Sequence, residues 1–152
     1  MADQVNFADC YVLTNQRTYI FILSFLNHFL PEREAFASEY EVPQHADHPE
    51  HVFKASEDLI TYLENNPKEV HAIYWGNKEI STVRAGMCLF TSDGQVIVGL
   101  TSESYYPETY LEDDCLQQIK EFCNSSIGLI EYDTPAAKDT AEFLLRVKKA
   151  NA

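Results

Sequence analysis

The sequence predicts an α+β fold: an antiparallel β-meander over residues 70–101, set within a five- to six-stranded sheet, with helices packed on it. Three observations lead there. Residues 70–101 carry strand-like apolar runs, punctuated by Gly76-Asn77 and Ser92-Asp93-Gly94, which favour hairpin turns. Four other segments repeat apolar residues at helical spacing. Strands follow one another through the meander without intervening helices, unlike the βαβ units of a parallel sheet. At 152 residues with no linker or repeat, the chain reads as one domain over 1–152.

Residues 7–13 (FADCYVL) open as a short strand. Thr14 then stands as cap for a helix over Asn15 to Leu30, stopped by Pro31. Its apolar face is Tyr19, Ile22, Leu23, Leu26, Phe29 and Leu30, opposite a narrow polar stripe of Arg17, Ser24 and His28. Ile20, Phe21 and Phe25 flank the stripe, so this helix must be covered on more than one side. Residues 32–54 are polar and irregular, with Tyr40–Val42 as the only strand-like piece. Ser56 caps a second helix to about Asn65, its inward residues being Leu59, Ile60 and Leu63.

The meander comprises VHAIYW (70–75), KEISTV (78–83), GMCLFT (86–91) and QVIVGLT (95–101), with Gly86 marking a bulge. Adjacent apolar residues at 73–75 and 96–98 indicate strands that are central, covered on two sides, or part of an interface. A third helix runs from near Pro107 to Cys123, with Leu111, Cys115, Ile119 and Phe122 at core spacing. Residues 127–132 form another strand. Thr134-Pro135 opens a last helix that turns Ala137, Ala141, Leu144 and Leu145 inward.

Asp and Glu number 24 against 11 Lys and Arg, a net charge of −13. So acidic a surface repels phosphate backbones and anionic membranes, which excludes nucleic acid and membrane as partners. The longest apolar run, Tyr19 to Leu23, is far too short to span a bilayer. Residues 1–10 have no secretory leader pattern, and Cys10, Cys88, Cys115 and Cys123 stand singly. Both features point to reduced thiols in a cytoplasmic protein.

Catalytic motifs are missing: there is no G-x-S-x-G, H-E-x-x-H or P-loop. The segment PQHADHPEH places His45, His48 and His51 three apart, and imidazoles are zinc ligands. Pro43 and Pro49 favour an extended chain, which would hold those rings roughly 9 Å apart, too far to chelate one ion. Residues 43–51 therefore read as an exposed loop with no bound metal, and no cofactor is expected. A small-molecule or metal-dependent enzyme using that loop, or a cleft beside the sheet, is the alternative.

The favoured expectation is a binding protein. Residues 103–114 hold five acids and no base, with Tyr105, Tyr106 and Tyr110 among Glu103, Glu108, Glu112 and Asp113. Tyrosine is a rigid, amphipathic anchor, and acids attract a basic protein partner. Compact, acidic, motif-free α+β proteins include bacterial immunity proteins that neutralise basic toxin domains, a likeness of size and charge only.

Overall fold

A computed structural model describes residues 6–151, so the reading of residues 1–10 falls partly outside it. The elements in order are β1 (Asn6–Thr14), α1 (Tyr19–Phe29), β2 (Arg33–Ala35), β3 (Tyr40–Val42), β4 (His51–Phe53), α2 (Ser56–Asn65), β5 (His71–Asn77), β6 (Val83–Phe90), β7 (Val96–Ser104), α3 (Tyr110–Cys123), β8 (Gly128–Glu131) and α4 (Thr140–Ala150). Six strands form an antiparallel sheet in the order β2-β5-β6-β7-β1-β8, and β3 pairs with β4 alone. The fold is α+β, with helices packed against the sheet. Among the described residues no helix is long and apolar enough to cross a membrane.

Helices pack on both faces of the sheet. On one face Val12, Ile73, Trp75, Cys88, Val98 and Leu100 join a single buried cluster with Ile22, Phe25 and Leu26 of α1, Leu59 and Leu63 of α2, and Ile119 of α3. On the other, Tyr11, Leu13, Met87, Leu89, Ile97 and Leu129 pack with Phe143 of α4. The rings of Phe21, Phe25 and Phe29 surround Phe122, so α1 is flanked by α3 as well as by the sheet.

Several boundaries differ from the sequence reading, each for a local reason. The meander has three strands instead of four, because β5 runs straight through Gly76-Asn77 to pair with β2. Gly76 is there for close approach: a Cβ would lie 2.7 Å from the Phe36 ring. The turn falls beyond it, where Asn77 accepts from the Glu79 N–H and donates to the Val83 carbonyl. The second turn is as expected, with Gly94 at φ +83°. The irregularity in β6 lies between Val83 and Ala85, not at Gly86, whose hydrogen makes room for Leu30.

Pairing with Val96 keeps Thr14 in β1, and Thr18 caps α1 instead by accepting from the Phe21 N–H. The cap position of α2 is Ala55, with Ser56 the first helical residue. The last helix begins at Thr140. Thr134 donates back to the Tyr132 carbonyl, Asp139 caps the Glu142 N–H, and Glu142 accepts from the Lys138 N–H. That start rotates the helix, so Phe143 faces the core while Leu144 and Leu145 are 43% and 52% exposed.

His71 is buried in β5, its Nε2 2.9 Å from the Glu41 carbonyl and its Nδ1 3.3 Å from that of Ala72. Burial holds its pKa below 6.5 despite those carbonyls. As pH falls through 6.5 the unfolded chain takes up a proton that the folded one resists, so this contribution to stability is lost on acidification. Urea midpoints at pH 7.5 and 5.5 should fall further apart in the parent protein than in His71→Gln. Equal separations would show that His71 does not set the slope.

Candidate functional site

The acidic, tyrosine-rich stretch lies where β7 leaves the sheet and turns into α3. The Glu108 N–H donates to the Tyr105 carbonyl at 3.0 Å, closing a tight link over residues 105–108. That closure turns the rings outward: Tyr105 is 39% exposed, Tyr106 62%, and Tyr110, first in α3, 60%. Glu108, Asp113 and Asp114 are exposed beside them. Thr109 donates to Asp113 at 2.7 Å, and both Glu112 and Asp113 sit in the first turn, where the helix dipole favours carboxylates. Glu103 is half-buried on β7 and paired with Arg84 at 2.8 Å.

Glu112 does not belong to that surface, which corrects the sequence assignment. It lies three residues before Cys115 and seven before Ile119, so the helical period turns it inward with them. Its side chain is fully buried. One carboxylate oxygen accepts from the Ser104 hydroxyl and, at 2.6 Å, from the Tyr132 hydroxyl. The other oxygen has no hydrogen-bond partner among the described residues. Burial, then the bond to Glu112, holds the Tyr132 phenol well above its ordinary value. The same Ser104 hydroxyl accepts from the Tyr106 N–H at 3.2 Å, and the Tyr106 and Tyr132 rings stand 5.3 Å apart. Glu112 thus ties β7, α3 and the end of β8 together underneath the exposed tyrosines.

Sequence reading missed the far side of this end of the sheet. The β1·β8 pairing sets Asp9 opposite Glu131, which brings Tyr132 and Asp133 beside the start of β1. Asp9 is half-buried and accepts from Thr101 at 2.7 Å. Burial, and then the charge of Asp133, hold its pKa above the usual value. A lone acid inside the apolar strand FADCYVL was the available signal. Among the described residues the ion pairs are Lys54–Glu39, Arg84–Glu103, Arg146–Glu131 and Arg146–Glu142. Glu108, Asp113, Asp114, Asp133 and Asp9 are in none of them.

Elsewhere the chemistry is sparse. All four cysteines are buried and free. Burial pushes the Cys123 thiol up to about 12 and the Cys88 thiol higher still, which disfavours thiolate nucleophiles there. His45 and His48 are exposed in the loop between β3 and β4, whereas His51 is part of β4, its ring stacked on Phe53 and 5.1 Å from that of Tyr62. No three His, Cys, Asp or Glu side chains among the described residues are grouped to hold a metal ion. A depression of about 460 Å³ at the opposite end of β1 is lined by Thr14, Gln16, Gln95, Asn124 and Ser125, and another of about 390 Å³ by Tyr40, Gln44, His45, His71 and Tyr74. In the second, the Gln44 side-chain amide pairs with both backbone groups of Ala72 and seals that edge of β5.

No family model, curated protein or solved structure matches the chain.

Proposed function

We propose that this chain is a binding module for a basic protein, engaged through the acidic, tyrosine-rich end of the sheet. An immunity-type inhibitor of a basic toxin domain is the form of this reading that size and charge favour. The observation that carries it is the exposure of Tyr105, Tyr106 and Tyr110 among Glu108, Asp113 and Asp114, in a stretch without a base. Three exposed aromatic rings grouped in one stretch offer rigid area to cover on binding, and unpaired carboxylates steer a cationic surface toward them. The hydrogen bonds beneath the turn support the same reading, because rings held in place lose little freedom when they are buried.

Kinetics against the basic partner test it. Charge reversal at Glu108 and Asp113 should slow association and reduce its salt dependence, leaving dissociation nearly unchanged. Truncation of Tyr106 or Tyr110 to Ala should cost on the order of 2 kcal/mol, expressed mainly as faster dissociation. If both rates stay at their parent values in folded variants, this end of the sheet is not the interface.

A further inference from the structure

The face of the sheet under α4 is only partly covered. Cross-strand register sets Tyr74, Met87, Gly99, Tyr11 and Leu129 in one row, and Gly76, Ala85, Thr101, Asp9 and Glu131 in the next. The apolar cluster around Phe143 takes in Tyr11, Met87 and Leu129 of the first row. It takes in nothing from the second, where Ala85, Thr101 and Asp9 remain half-exposed. That second row is a floor of small side chains with aromatic margins. At one end stand Tyr74, 42% exposed, and Phe36, 66% exposed, whose ring lies against Gly76. Alongside the row, opposite Glu103 in the next register position, is Phe7, 47% exposed, two residues before Asp9 on β1, with Arg84 over its ring.

The charges are unequal along the row. Glu131 is held by Arg146 at 3.0 Å, and Arg84 is held by Glu103. Among the described residues Asp9 has only the Thr101 hydroxyl, with Asp133 as a like charge nearby. An open floor, aromatic margins and a half-desolvated carboxylate without a cation together describe a place for a positive side chain. A second copy of this chain is a poor occupant, since each copy carries −13.

We propose that this row is a groove for an arginine side chain of the basic partner, with its stem on Ala85 and Thr101 and its guanidinium on Asp9. Arginine fits better than lysine: the planar guanidinium is weakly hydrated and tolerates a half-buried carboxylate flanked by aromatic rings, where an ammonium would keep its water. The desolvation penalty that raises the Asp9 pKa is offset when a cation sits beside it. This inference rests on the reading of a basic partner and adds a second contact, across the sheet from the tyrosines.

The test is a titration of the labelled protein with Nα-acetyl-arginine methylamide and with a nona-arginine peptide, followed by amide NMR shifts. The lysine and norleucine analogues serve as controls. Shifts at Asp9, Ala85 and Thr101 are expected with arginine, weaker with lysine and none with norleucine. Asp9→Asn keeps the Thr101 bond and should weaken the arginine response about tenfold. Ala85→Leu, which fills the floor, should do the same independently. Shifts confined to residues 105–113 would overturn the groove and leave the basic-partner reading standing. A protein that responds nowhere to either arginine probe would remove both.

Discussion

Replacing Arg17 by Met should cost about 3 kcal/mol or more of folding stability, among the largest losses expected of any single substitution in this chain. Arg17 lies in the short connection between β1 and α1 and is only 5% exposed. Its Nε donates to the Leu63 carbonyl, one terminal nitrogen to those of Thr91 and Gln95, and the other to those of Asn66 and Glu69. All five N–H donors of the guanidinium are therefore used on backbone carbonyls, with the Phe90 ring 5.2 Å beneath. Those carbonyls lie at the end of α2, in the segment that follows it and in the β6–β7 turn; Asn66 also accepts from the Glu69 N–H and Gln95 from the Thr91 N–H and hydroxyl, while Leu63, Thr91 and Glu69 depend on Arg17. Methionine replaces the apolar stem and brings no donor, so it orphans the Leu63, Thr91 and Glu69 carbonyls and removes one of the donors to Asn66 and Gln95. Lysine should also fall short, because three donors on a point charge cannot address five directions at once. Urea unfolding with an unchanged slope would check this; a loss under about 1 kcal/mol for Arg17→Met would show that water replaces the side chain.

Arg17 also illustrates what the sequence hides. Placed on a helix from Asn15, it belongs to a polar stripe with Ser24 and His28, and nothing local says otherwise. The helix begins four residues later because β1 holds Thr14, and a residue outside the helix is free to point inward. The sheet was more legible: a two-residue period and the Asp93-Gly94 turn are local chemistry, and β6 and β7 follow from them. Gly76-Asn77 misled because a glycine in a strand can serve a turn or a close neighbour. Only the three-residue strand β2, which pattern does not reveal, decides which. In α4 two competing caps, Thr134 and Asp139, differ by five residues, enough to rotate the helix and exchange Leu144 and Leu145 for Phe143. The site divides along the same line. The exposed tyrosines come from one continuous stretch and could be read directly. Asp9, Tyr132 and Asp133 join them only through the β1·β8 pairing, a contact across some 120 residues that composition cannot announce.

Glu112 is where fold and proposed function meet. Glu112→Ala should cost about 3 kcal/mol, combining the void left by the side chain with the loss of the acceptor for the buried Ser104 hydroxyl and the half-buried Tyr132 hydroxyl. Glu112→Gln is the informative partner. Its amide oxygen can accept from Ser104 and Tyr132 as the carboxylate does, and its NH2 replaces the oxygen that has no partner. It also removes a buried acidic group that is in none of the ion pairs of the described residues. The glutamine protein should therefore be about as stable as the parent, or more so, while the alanine protein is clearly weaker. Binding should follow the same order for a different reason. Ser104 holds the Tyr106 N–H and Tyr132 holds the Tyr106 ring, so loss of their common anchor lets the tyrosines move and raises the entropic cost of covering them. Glutamine keeps that anchor and should bind as the parent does, and alanine should bind more weakly even below its unfolding midpoint. The comparison separates two roles for a buried acid in an acidic protein. If the glutamine protein folds like the parent and yet loses its partner, Glu112 serves by its charge, and the electrostatic field of the site begins in the core.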